Sequence, residues 1–225
     1  MRNRTIAVAV CLFAAIGVLP SGVPAQEKSK LIEFDVPGAK CATSCGTFAY
    51  ANNSAGTIVG SYTDRYDVSH GFIRTQNGGF TVFDAPGAGL EHGSGEGTVA
   101  YSVNDNGAIS GQFEDAESVY HGFIRSPNGS FTTIDVPGAG TAGGQGTFAM
   151  SINSGGATAG NFIDETGSHG FVRSPAGKIS TFDAPNSWGT VVCQSSCLNQ
   201  QGEVAGYYYV AGYYFYSAFL REPDG

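Results

Sequence analysis

The sequence predicts an all-β repeat protein of four tandem, four-stranded antiparallel units, each roughly 50 residues long, the arithmetic of a β-propeller. Three observations predict it. Two phrases return at one common period, each period divides into four short strand-like segments, and no stretch beyond the leader carries a helical apolar period with caps.

The first phrase is Phe34-Asp35-Val36-Pro37-Gly38-Ala39. It returns as Phe83-Asp84-Ala85-Pro86-Gly87-Ala88, as Ile134-Asp135-Val136-Pro137-Gly138-Ala139 and, decayed, as Phe182-Asp183-Ala184-Pro185, with aspartates 49, 51 and 48 residues apart. The second phrase keeps step: Ser69-His70-Gly71-Phe72-Ile73-Arg74, Tyr120-His121-Gly122-Phe123-Ile124-Arg125 and Ser168-His169-Gly170-Phe171-Val172-Arg173. Its fourth copy, Tyr216-Ser217-Ala218-Phe219-Leu220-Arg221, lacks the histidine. The units are taken as 31–79, 80–130, 131–178 and 179–225.

Within each unit the first strand resembles Phe80-Thr81-Val82-Phe83-Asp84 and closes at a Pro-Gly turn. The second resembles residues 146–152, and a turn such as Asn104-Asp105-Asn106-Gly107 follows, with residue types that tolerate positive φ. The third resembles residues 108–113, and the fourth carries the histidine phrase and ends at a turn such as Ser126-Pro127-Asn128-Gly129. On the third strand Ile58, Gly60 and Tyr62 share a face, as do Ile109, Gly111 and Phe113, and Val204, Gly206 and Tyr208. A glycine held between an aliphatic and an aromatic predicts close approach by a neighbouring blade. Residues 30–35 have the character of a first strand, and the chain stops where one would begin, so the N-terminal strand is expected to complete the last unit and close a ring. The alternative is a fragment of a longer structural array.

Residues 1–25 read as a secretory signal peptide. A basic start at Arg2 and Arg4 precedes an uncharged apolar stretch to Leu19, and a small residue, Ala25, stands at the expected cut. Removing that leader takes the formal charge from −8 to −10, which disfavours phosphate backbones and anionic headgroups as partners. No later segment is apolar enough to insert in a membrane. The expected location is therefore secreted, periplasmic or cell-surface. Cys41, Cys45, Cys193 and Cys197 remain in the mature chain, and in an oxidising compartment they are expected to form disulfides rather than a metal site. Two connectivities are open: a local bridge within each Cys-x-x-x-Cys, or bridges that staple the first unit to the fourth.

The histidine phrase follows a stretch such as Ile152-Asn153-Ser154-Gly155-Gly156-Ala157-Thr158-Ala159-Gly160, and Val103-Asn104 through Gly111 repeats it. This pattern resembles the extracellular HAF-type repeats of bacteria, with glycine replacing alanine in three triplets and Ser217-Ala218-Phe219 as the fourth. The resemblance spans residues 31–225 and implies an exported, propeller-like protein, but no defined activity. The kelch double glycine and the Trp-Asp signature are absent, and Trp188 is the single tryptophan.

Counting across the turn after the fourth strand sets His70 beside Asp84, His121 beside Asp135 and His169 beside Asp183. A pairing repeated three times reads as structural, since a catalytic site is one asymmetric constellation. Asp64, Asp115 and Asp164 recur before the third-to-fourth turn and are expected to cap it; no calcium-loop spacing surrounds them. The fourth unit differs, with Tyr207, Tyr209, Tyr213, Tyr214 and Tyr216 as candidate ligand-binding residues. Tyr207 is expected to face outward and Tyr208 to be a core aromatic like Phe162. No nucleophile elbow, phosphate loop or zinc helix is present, and the pattern calls for no metal and no cofactor. The expected function is a non-enzymatic exterior module that binds a glycan or a protein, or serves structurally. The alternative is a carbohydrate-active enzyme, a lyase or hydrolase, with a His and a Tyr moving protons.

Overall fold

Short alternating segments separated by glycine-bearing turns give strands and nothing else. A computed structural model describes residues 31–39, 46–90, 96–210 and 216–223, and these form fifteen strands with no helix among them. The leader, Cys41 and Cys45, and Tyr213 and Tyr214 lie outside the described residues.

Three runs repeat one antiparallel meander. The first is β1 (Thr47–Asn52), β2 (Ile58–Thr63), β3 (Ser69–Arg74) and β4 (Phe80–Phe83). The second is β5 (Gly97–Val103), β6 (Ile109–Glu114), β7 (Tyr120–Arg125) and β8 (Phe131–Ile134). The third is β9 (Gly146–Ile152), β10 (Thr158–Ile163), β11 (Ser168–Arg173) and β12 (Ile179–Phe182). Single parallel bridges, Ser69 to Gly97 and Tyr120 to Gly146, join these runs into one 12-stranded sheet. A separate sheet holds β13 (Ser187–Val192), β14 (Val204–Val210) and β15 (Tyr216–Arg221). The sheet groups β4 with β3 before it, although in sequence β4 opens the following unit.

The recurring Phe-Asp phrase is the joint between successive runs. Its backbone N–H, at Val36, Ala85, Val136 and Ala184, donates to Oγ1 of Thr47, Thr98, Thr147 and Thr190 at 2.9–3.0 Å. The aromatic before it enters the next run: Phe34 meets Phe72, Phe83 meets Phe123 and Phe182 meets Phe219, with ring centroids 6.4, 6.2 and 5.8 Å apart. Ile134 does the same in the cluster around Phe171. Phe72, Phe123 and Phe171 have no exposed surface, and burying each contributes up to about 3 kcal/mol.

The closing strand expected from residues 30–35 is not formed among the described residues. Residues 31–36 are irregular, and β15 has β14 as its one sheet neighbour. Phe34 is held by Phe72 and Phe80, so part of its apolar surface is covered in the first run.

The strand glycines are approached by the paired strand of their own run. A side chain at Gly60, Gly111, Gly160 or Gly206 would strike the carbonyl oxygen of Phe48, Val99, Phe148 or Val191 on the paired strand of the same run, not a neighbouring blade. At the first three a β-bulge lies beside the glycine: register slips between Ala49 and Ala51, Ala100 and Ser102, and Ala159 and Asn161.

Two devices tie the runs together. Asn53, Asn104, Asn153 and Asn199 each accept a backbone N–H four residues on through Oδ1. The first three also donate Nδ2 to the carbonyl of the next asparagine in the series, at 3.1, 2.9 and 2.9 Å. Cys193 and Cys197 form a local disulfide with Cα atoms 5.6 Å apart, which excludes the staple to the first unit for this pair. Ser195, at the tip of that loop, donates its hydroxyl to the carbonyls of Tyr50 and Tyr101, and its own carbonyl accepts the hydroxyls of Ser102 and Ser151. One serine of the last run therefore contacts the other three.

Candidate functional site

On the strand that carries it, each histidine faces the turn after the next strand, so its imidazole reaches the aspartate there. Nδ1 of His70, His121 and His169 lies 2.8, 2.7 and 2.9 Å from Asp84, Asp135 and Asp183. The other nitrogen meets a second carboxylate: Nε2 is 3.5 Å from Asp64, 3.0 Å from Asp115 and 3.2 Å from Asp164. Those three aspartates also cap their turns, accepting the N–H groups of Tyr66 and Val68, Glu117 and Val119, and Thr166 and Gly167. Each imidazole stacks on the aromatic paired with it, Tyr62, Phe113 or Phe162, at 5.2, 4.9 and 4.9 Å between centroids.

At His70 and His121 the two carboxylates and the aromatic face favour the imidazolium. The bond to Asp84 raises the His70 pKa, reinforced by Asp64 against the effect of burial. At His121 burial pulls the pKa down, but Asp115 and Asp135 together prevail and it is raised. Asp164 moves the other way: the Thr166 hydroxyl, helped by backbone N–H and His169, holds its pKa at about 2. For Asp64 and Asp115 burial pushes upward, and backbone N–H groups with the histidine outweigh it, so both are lowered.

The last run departs from this scheme. Ser217 stands opposite Tyr208 where the other runs place histidine opposite an aromatic. Tyr208 is half-buried rather than a core residue like Phe162, with Ser217 and not an imidazole opposite it. Beside it Tyr207, Tyr209 and Tyr216 are 38%, 40% and 62% exposed, and their rings touch one another at 4.9–6.2 Å. Register explains this. Tyr209 pairs with Tyr216, and Tyr207 sits two residues along on the same face. The Tyr209 hydroxyl has a raised pKa, through burial first and then its two tyrosine neighbours.

Two features escape sequence reasoning. The Nε2 side of each histidine joins residues five or six apart through a turn, a direction no strand periodicity encodes. The other is Trp188, 70% exposed at the β13 bulge. Its signal was a length difference: donor N–H and threonine in the joint are 11, 13 and 11 residues apart in the first three copies but 6 in the fourth. Among the described residues no cluster of three or more His, Cys, Asp or Glu is arranged to hold a metal ion, and no helix is long and apolar enough to cross a membrane. A scan of the chain against protein-family models finds no match, and a search of curated proteins finds none.

Proposed function

We propose that the protein is an exported, non-enzymatic module, a four-unit β-propeller-like repeat of the HAF type, that binds a glycan or a protein through the tyrosine face of its last unit. The exposed cluster of Tyr207, Tyr209 and Tyr216 carries this reading. Three rings held against one another form a stiff amphipathic platform whose binding costs little side-chain entropy, and whose hydroxyls remain available at the rim. The four-unit arrangement is supported by the four N–H-to-threonine joints, the asparagine series and the reach of Ser195. A disulfide is compatible with an extracellular or periplasmic location, in line with the leader read from the sequence.

The histidines support the non-enzymatic reading. Both ring nitrogens of His121 are engaged by carboxylates, at 2.7 and 3.0 Å, which leaves no nitrogen to take a proton from a substrate. Affinity electrophoresis of the mature protein across a polysaccharide panel tests the proposal, with product analysis of the same samples. Retardation without products, lost in the double variant Tyr207→Ala/Tyr216→Ala, is the expected result. Accumulating products would replace this reading with a lyase or hydrolase.

A further inference from the structure

The joint of the last run is shorter than the joints of the second and third runs, whose longer loops bond back to the sheet. In the second run Gly89 of the longer loop bonds the carbonyl of Glu114, and in the third Gly140 bonds that of Ile163. The fourth copy has no residues to spare for such a crossing. There a cavity of about 670 Å³ lies beside β13, lined among others by Trp188, Asn186, Ser187, Asp183, Thr166 and His169. That volume falls within the ~300–1,000 Å³ of small-molecule sites. Its lining is mixed: one exposed indole together with an amide, hydroxyls and a carboxylate.

Hydrogen-bonding capacity in the cavity is unspent. Asp183 uses Oδ1 for His169 and Thr190, while its Oδ2 has no partner among the described residues. The Asn186 side chain also lines the cavity. Bonding to His169 holds the Asp183 carboxylate in place, so ordering it on binding costs little. From this geometry we infer that the cavity beside Trp188 is a saccharide subsite: the indole stacks on the apolar face of a neutral pyranose while Asp183 Oδ2 and the Asn186 amide take its hydroxyls. The acidic chain, at −8, and the carboxylate in the cavity disfavour uronic acids and other anionic sugars. The Tyr209 ring lies against Gly189, the residue after Trp188, so the subsite adjoins the tyrosine platform and a chain of sugars can span both. The inference rests on the binding-module reading above and specifies its glycan.

Trp188 is the only tryptophan, so its emission reports this subsite alone. The test is a fluorescence titration of the mature protein with cellohexaose, xylohexaose and mannohexaose, run beside affinity electrophoresis of wild type, Trp188→Ala, Trp188→Phe and Tyr207→Ala/Tyr216→Ala. The expected result is a saturable shift of emission to shorter wavelength with at least one probe. Trp188→Ala then weakens retardation by about tenfold or more, the scale of an aromatic anchor, and Trp188→Phe by less. An unchanged melting temperature in Trp188→Ala confirms that only a surface contact was removed. Retardation kept in Trp188→Ala but lost in the tyrosine variant overturns the subsite and leaves the platform reading standing. Neither retardation nor an emission shift in wild type overturns the subsite and the glycan arm of that reading together. A shift that follows protein concentration without sugar overturns the subsite in favour of a second copy of the chain.

Discussion

The first three runs and the last are built on one plan but use their polar and aromatic residues differently. In the first three, histidine, two aspartates and an aromatic engage one another at the surface, so both imidazole nitrogens are spent on the fold. In the last, Ser217 replaces the histidine, the joint is shorter, and the tyrosines and Trp188 are left at the surface without that network. Repetition therefore marks what holds the structure, and its breakdown marks where a ligand contact can be placed.

The largest expected effect sets the core of a regular run against its counterpart in the last. Phe123 has no exposed surface and contacts Phe83 and Phe131, so Phe123→Ala should cost about 3–5 kcal/mol. Phe219 holds the same place opposite Phe182 but is only half-buried, since among the described residues no strand pairs with the outer edge of β15. Phe219→Ala should cost clearly less. Urea midpoints of the two variants measure the difference, and equal losses would mean that β15 is covered as completely as β7.

Next comes the disulfide. Cys193 and Cys197 close a short loop, for which chain entropy alone gives about 2 kcal/mol. The double variant Cys193→Ser/Cys197→Ser should lose at least this much, because Ser195 is then freed from its contacts with the other three runs. A loss well below that value in thermal melts would show that Ser195 keeps its place without the bridge.

Much of the regular plan is legible in sequence because strand hairpins translate spacing directly into contact. The Asp135 side of the His121 pairing follows from counting across one short turn, where every residue faces a defined partner. The Asp115 side does not, since it depends on how a turn aims its carboxylate. The Val99 and Phe148 carbonyls over Gly111 and Gly160 are equally silent in composition: a glycine records that something approaches closely, not which strand does. Ser195 is the extreme case. Its partners lie 44 to 145 residues away, and no local pattern points to them.

The histidine networks predict a pH signature that the last run lacks. His70 and His121 have raised pKa values in the folded state, so their contribution is complete below the ordinary 6.5 and is lost as pH rises through the raised values. Asp164 works in reverse, contributing fully above 3.8 and losing its contribution as pH falls through about 2. Stability should therefore be greatest between 3.8 and 6.5 as far as these groups decide it. His121→Ala should cost on the order of 1 kcal/mol at about pH 5.5, with the gap to wild type narrowing by about pH 9. Melting temperatures at both values check the sign, and a gap that widens with pH would mean that the ring is neutral between its two aspartates.

The smallest expected effect on stability is also the sharpest test of the contrast. Tyr207 and Tyr216 are exposed and contact mainly each other and Tyr209, so removing both leaves no cavity and strands no buried polar group. Tyr207→Ala/Tyr216→Ala should change stability by less than about 1 kcal/mol, the range for surface positions, while abolishing retardation by polysaccharide. A large drop in melting temperature would instead mean that these rings serve the fold as His121 does. Stability kept and binding lost would mean that the same strand plan has been relieved of structural duty on one face only, which is the condition for that face to evolve toward a ligand.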